Sequence, residues 1–228
     1  MTKDLAAYAG YTKGLEESGT APFSAANRGE AMPAAITKQV DAGFRYAFTS
    51  RLKMVAGVFQ VEKPYFNLNS ANVYGALGTV RHRGVELSLA GNLFEGLNVV
   101  AGTTLIQPRL SGEPVSRGIV GPIPPGPRPR SSFVNLTYQP QAWGGFSIDG
   151  QIYSNSEKTA RSDNSFNSEG WVEANVGFRY RFTLWDAPAA VRAQLSNITN
   201  NYAWNSDSSG AFFPRSPRRF LVNLTADF

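Results

Sequence analysis

From Phe220 to Phe228 an apolar residue recurs at every second position. Phe220, Val222, Leu224, Ala226 and Phe228 fall on one side of an extended chain, and Leu221, Asn223, Thr225 and Asp227 on the other. Successive side chains of a strand point to opposite faces, so this segment predicts a strand with one apolar and one mostly polar face. The layout recurs upstream. In 169–182, Val172, Ala174, Val176, Phe178, Tyr180 and Phe182 oppose Glu173, Asn175, Gly177, Arg179 and Arg181; in 37–48, Val40, Ala42, Phe44, Tyr46 and Phe48 oppose Gln39, Asp41, Gly43 and Arg45. The pattern predicts strands at 4–12, 37–48, 52–63, 76–90, 97–107, 128–139, 145–154, 169–182, 189–199 and 220–228. In 52–63 the alternation is less clean, because Val55, Phe59 and Val61 sit opposite Leu52, Met54, Ala56 and Val58. Alternating segments of about ten residues separated by turn-rich stretches are the signature of a transmembrane antiparallel β-barrel.

The connections support this fold class, an all-β, up-and-down barrel of about ten strands. Short ones near 49–51, 91–96, 139–144 and 183–188 alternate with long ones near 13–36, 64–75, 108–127, 155–168 and 200–216. Outer-membrane barrels put short turns at the periplasmic end and long loops outside. The prolines of 108–127 argue against ladder pairing there. Asp41, Arg45, Glu86, Asp149, Glu173, Arg179, Arg181 and Arg192 all lie opposite an apolar face. A soluble sandwich, the rival fold, would turn these charges to bulk water. A barrel turns them to a wet lumen and the apolar face to lipid, and the loop alternation favours the barrel.

Composition trims the possibilities. No apolar run approaches the ~20 residues of a spanning helix, and the N-terminal residues MTKDLAAYAG do not read as a signal peptide. There is no cysteine, so no disulfide or thiolate metal site. The net charge of +5 is spread along the chain without a nucleic-acid motif; it suits anionic lipid or an anionic ligand.

Several stretches resemble the C-terminal part of the TonB-dependent outer-membrane receptors. TKQVDAGFRY resembles the family's Gln-x-(acidic)-x-Gly-x-(basic) strand, and RHRGVELSLAG its Arg-Gly-x-Glu strand. AQLSNITNNYAW resembles its Asn-Leu-Thr-Asn-x-x-Tyr segment, with Ile198 in place of leucine, and PRRFLVNLTADF its closing strand. APFSAANRGEAMPA resembles the ferric-siderophore branch. The resemblance implies a barrel of about 22 strands with a plugged lumen, of which residues 1–228 would be the last ten strands, as a C-terminal fragment lacking the plug domain. It implies uptake of a ferric siderophore or similar scarce ligand, with the inner-membrane TonB complex engaged through the missing N-terminal region. It also implies an outer-membrane location, contact with membrane lipid and lipopolysaccharide, and recognition by the barrel-assembly machinery through Phe220, Val222, Leu224 and Phe228.

The chemistry expected is binding, with no catalytic residue and no cofactor or metal site. Arginine's planar fork suits the oxygens of an anionic chelate, which makes Arg28, Arg109, Arg117 and Arg128, with Tyr74 and Trp204, the ligand candidates; His82 is a further one. Arg81 and Arg83 flank His82 near the outer end of its strand, within reach of lipid phosphates. A passive porin-like barrel is the first rival reading, and an outer-membrane hydrolase built on His82, the one histidine, is the second.

Overall fold

The computed structural model describes residues 4–207 and 211–227, so Phe228 lies outside the described residues. Seven strands run in sequence: β1 (Leu5–Glu16), β2 (Ala35–Thr49), β3 (Leu52–Leu68), β4 (Tyr74–Phe94), β5 (Leu97–Gly112), β6 (Arg130–Tyr138) and β7 (Phe146–Asn155). After two-residue strands β8 (Lys158–Thr159) and β9 (Asn167–Ser168) come β10 (Trp171–Leu184) and β11 (Ala187–Ser196). The short hairpin β12 (Trp204–Ser206) and β13 (Phe212–Pro214) precedes β14 (Arg219–Ala226). The ten long strands form one antiparallel sheet in the order β1-β2-β3-β4-β5-β6-β7-β10-β11-β14. Each pairs with its neighbours in the chain, and β1 and β14 are the two edges, so the ten strands make a wall and not a closed ring.

The predicted faces hold across the whole wall, because paired residues share a face. Phe178 of β10 pairs with Ile148 and Ala193, and Ala193 with Val222. Val85 pairs with Val58 and Leu105. This apolar face is the open one: Val172, Phe178 and Tyr180 are exposed, whereas Asn175 and Gly177 on the polar face of the same strand are buried. The polar face of β10 is therefore the more crowded side. Some apolar residues on the same face of other strands have a packing reason. A Cβ on Gly84 would fall 2.4 Å from the Phe59 ring, and one on Gly102 would fall 2.9 Å from that of Phe133. Phe59 and Phe133, both lumen-facing, lie over glycines of the next strand, which accounts for the place of Phe59 in the irregular alternation of β3.

Aromatic rings mark the short-turn end on the outer face. Phe94, Tyr138, Trp143, Phe146 and Phe178 form a chain of successive contacts with centroids 5.2–6.4 Å apart. Such girdles lie at the bilayer interfaces. The turn at this end between β10 and β11 is Trp185–Asp186, with φ of 49° and 66°, the left-handed pair that matches strand twist in a two-residue hairpin. Outer-face apolar residues from Leu97 to Leu105 match the 9–11 residues a tilted spanning strand needs. Among the described residues no helix is long and apolar enough to cross a membrane.

The strand ends correct several expectations at the long-loop end. β1 runs to Glu16 instead of stopping near 12, β3 to Leu68, and β4 starts at Tyr74, so the expected loop 64–75 shrinks to 69–73. Asn69 Oδ1 tightens that loop by accepting the amides of Ala71 and Val73, each at 2.9 Å. β5 continues to Gly112 through Pro108, which pairs with His82. The amides of Ile106 and Leu110 donate away from β4, to Pro129 and Pro122 carbonyls at 2.8 Å. The nitrogen of Pro108 points to that same side, beyond the last β6 pairing at Leu105, so no ladder bond is lost. The connection 113–129 carries α1 (Glu113–Ser116), which packs with Val120 on Val80 and Leu110.

Candidate functional site

The long connections gather into two groups at one end of the wall. The first joins 17–34 to 69–73. The Ala26 amide donates to Asn72 O at 2.7 Å, and Asn72 Nδ2 donates to Ser24 O at 2.6 Å. Asn27 clamps the backbone of Tyr74 on both sides: Oδ1 accepts its amide at 2.8 Å and Nδ2 donates to its carbonyl at 3.0 Å. The Tyr74 ring stacks on Phe66, with centroids 6.1 Å apart. Arg28, the neighbour of the clamp, is exposed.

The second group ties 113–129, 156–170 and 197–218 together over the polar face of β10. Arg128 is its centre. Nη1 donates to Ser156 O and, at 3.1 Å, to Glu169 O; Nη2 donates to Asn205 Oδ1 at 3.0 Å. The guanidinium of Arg215 lies 3.3 Å from the centroid of the Trp171 ring and pairs with Glu173. Lys158 Nζ donates to Ser206 O at 2.6 Å. Burial, then the charge of Arg215, pushes the Arg128 pKa down; burial, then Arg128, pushes Lys158 down, against the pull of Asp207. Three cations are thus crowded at the lumen side of the mouth, an arrangement that an added anion relieves. Beside them a 350 Å³ cleft is lined by Glu173, Asn197, Asn205, Arg215 and Arg219 among others.

Asn197, in the stretch Asn197-Ile198-Thr199-Asn200, holds the floor of this cleft. It is 2% exposed with φ of 50°. Its Nδ2 donates to Asn201 O at 3.0 Å and Ser216 O at 3.1 Å, while Oδ1 accepts the Asn201 amide at 2.9 Å. Its own amide donates to Asn175 Oδ1 at 2.8 Å. An asparagine satisfies all of this at once because it carries both donor and acceptor and tolerates the left-handed region.

The seven sequence candidates separate. Arg128 and Trp204 sit in the second loop group, where Trp204 O accepts from Ser168 Oγ at 3.0 Å and its exposed ring meets Tyr202. Arg117 caps α1 and pairs with Glu113 at 3.0 Å. Arg28 and Tyr74 belong to the first group. Arg109 is in β5, not in a loop, and pairs with Arg81 on the outer face, so the strand parity turns it away from the lumen. His82 faces the lumen between Val61 and Pro108, with Nε2 buried and without a hydrogen-bond partner; it has none of the oriented contacts that nucleophile activation requires. Lys158, Arg215 and Trp171 are the residues the sequence did not single out. Among the described residues no group of His, Cys, Asp and Glu is placed to hold a metal ion.

A meander wall with a lipid-facing apolar band, a polar opposite face and a basic mouth of fused loops defines the class: a segment of an outer-membrane β-barrel. The sequence model of the family described as "TonB dependent receptor-like, beta-barrel" matches residues 1–228. The chain belongs to that family, whose barrels are outer-membrane receptors and transporters of Gram-negative bacteria and not enzymes. It is 24% identical over 229 residues to the ferrichrome receptor FcuA of Yersinia enterocolitica, spanning 97% of this chain and 30% of that protein. Among solved structures it is similar to BauA, the ferric preacinetobactin receptor from Acinetobacter baumannii, with 25% identity, a TM-score of 0.86, and coverage of 100% of this chain and 35% of that one. The ferric-catecholate import receptor Fiu from E. coli K12 shares the fold at a TM-score of 0.78 and 21% identity, over 99% of this chain and 33% of that one. The chain thus spans about a third of the length of these relatives.

Proposed function

We propose that these ten strands are the C-terminal wall of a receptor that takes up a ferric siderophore, with TonB driving the complete protein. The two free edges support the larger barrel, since unpaired strand edges have no partner in hydrocarbon. Strands preceding β1 and a plug domain would complete it, and the chain itself would perform no bond chemistry.

The observation that carries the reading is the crowding of Arg128, Lys158 and Arg215 at the lumen side of the fused loops. An anionic chelate of hydroxamate, catecholate or carboxylate oxygens meets its charge complement there. Its contacts also fall on loops that lead straight to the polar face below. Arg28 and Tyr74 supply a second rim across the mouth. The β14 residues Phe220, Val222 and Leu224, with Phe228, would serve the barrel-assembly machinery, and membrane lipid meets the outer face.

The test is uptake by the full-length receptor in cells that depend on one supplied ferric siderophore. Deleting 113–129 should abolish binding and growth on the cognate chelate while heat-modifiable migration shows an assembled barrel. Unchanged affinity for every chelate that the intact receptor takes up removes these loops from the site.

A further inference from the structure

The connection 113–129 does not rise away from the wall. Val115 and Val120 pack on Val80 and Leu110. These two pair with each other across β4 and β5, on the parity of His82 and Pro108, so they point to the lumen. Tyr65, paired with Gly78 on the same face, joins the cluster. Residues 113–120 therefore lie over the lumen side of β4 and β5, at the level of the mouth. The inward turn is made at Gly112. Its φ of 126° suits glycine, and a Cβ there would stand 2.3 Å from the Leu77 carbonyl oxygen. Pro114 is fully buried, and its carbonyl accepts the amides of Ile119 at 2.9 Å and Val120 at 3.2 Å.

Asn164, on the neighbouring connection, holds the far end. Its Oδ1 accepts the Ile123 amide at 3.0 Å, and its Nδ2 donates to the Ile123 carbonyl at 2.7 Å. One side-chain amide thus satisfies both backbone groups of Ile123, because it carries a donor and an acceptor. Ser162 O accepts the Gly121 amide at 2.7 Å. The fit is close: a Cβ on Gly121 would fall 2.2 Å from Asn164 Cγ. Every one of these contacts is made within the chain. Lifting the segment would expose its apolar seat and leave the Ile123 backbone groups unpaired. A helical turn with its side chains is about 10 Å across, so α1 takes about that much from the passage along β4 and β5.

We propose that residues 113–123 form a fixed shelf over the mouth that limits the size of the chelate admitted, and that Asn164 is the positioning residue that sets the limit. The inference rests on the receptor reading above. It assigns selection to a preformed aperture, without a closing motion of this segment.

Native-state hydrogen exchange on the full-length receptor, followed by binding, tests the shelf. The Val120 and Gly121 amides should be protected before any chelate is added, and the ferric chelate that supports growth should change their exchange by less than about threefold. Asn164→Gly keeps the left-handed backbone and removes the clamp, whereas Gly121→Ala forces it apart from the other side. Both should speed exchange at Val120 at least about tenfold, with heat-modifiable migration showing an assembled barrel. Binding is then compared for that chelate and for the same chelate carrying a bulky fluorophore away from the iron. The unmodified receptor should bind the conjugate at least about tenfold more weakly, and both variants should bring the two affinities within about threefold of each other. Protection that arises only after chelate is added overturns the proposal in favour of a closing lid. So does equal affinity for chelate and conjugate in the unmodified receptor, or an unchanged ratio in variants whose Val120 amide is released. If no ferric chelate binds, the receptor reading falls and the selection with it; an unprotected shelf in a receptor that does bind chelate sinks the selection alone.

Discussion

Replacing Asn197 with alanine should open the 197–218 connection without unfolding the wall. The substitution deletes three short side-chain hydrogen bonds, to Asn201 N, Asn201 O and Ser216 O, and a long one from Thr199 Oγ1 at 3.5 Å that adds little. At about 1 kcal/mol net for each bond, that is a loss of about 3 kcal/mol. Alanine at φ of 50° adds about 1 kcal/mol, because a Cβ crowds the backbone in the left-handed region. Glycine removes the same bonds without the conformational term, so Asn197→Gly should cost about 3 kcal/mol and Asn197→Ala about 4 kcal/mol. The assay is native-state hydrogen exchange on the full-length receptor. Amides held in this connection, those of Asn201, Arg215 and Arg218, should exchange roughly a thousandfold faster in the alanine variant. Ladder amides of β10 and β11 should keep their protection. A rise of less than tenfold, or a glycine variant more open than the alanine variant, refutes the reasoning.

Other outcomes follow from the same geometry. Arg128→Ala removes the ties to Ser156, Glu169 and Asn205, and should weaken chelate binding at least about tenfold while Arg128→Lys restores little, since one ammonium cannot reproduce the planar fork; titration of the purified receptor with the cognate chelate reads both. Leu224→Arg places a charge on the lipid face opposite Val191 and should cost roughly 2–4 kcal/mol in denaturant refolding into bilayers. Gly84→Ala forces apart Phe59 and the Leu105 carbonyl and should cost about 1–3 kcal/mol in the same assay. Gly150→Ala, with open space around its added methyl, should be close to neutral.

The sequence made the wall legible because lipid and lumen impose a strict period of two. Val172 to Phe182 show it without exception, and Phe220 to Ala226 break it only at Leu221. The ends of strands were less legible, since beyond the bilayer both faces meet water and the apolar signal fades, as it does from Asn67 to Gly75. Pro108 misled for a different reason: proline looks like a breaker unless one knows that its nitrogen faces the side with no partner strand. The site was only partly readable. Arg128 stood out as a loop cation, but its ties to Ser156 and Asn205 span 28 and 77 residues, and no local pattern encodes them. Arg215 and Lys158 gave no signal beyond their charge. Arg109 was grouped with the loops because Pro108 beside it was read as the strand's end. The Asn197 motif was visible as a resemblance, and its buried hydrogen bonds supply the physical reason for it.

The central claim is that one face of this wall meets lipid and the other a wet lumen. Single cysteines along β10, in the full-length receptor in intact outer membranes, test it most directly. Glu173→Cys, Arg179→Cys and Arg181→Cys should react with a small water-soluble maleimide, while Val176→Cys, Phe178→Cys and Tyr180→Cys should stay unreactive and instead be reached by a lipid-soluble thiol reagent. Equal reaction of both parities with the water-soluble reagent would contradict the account.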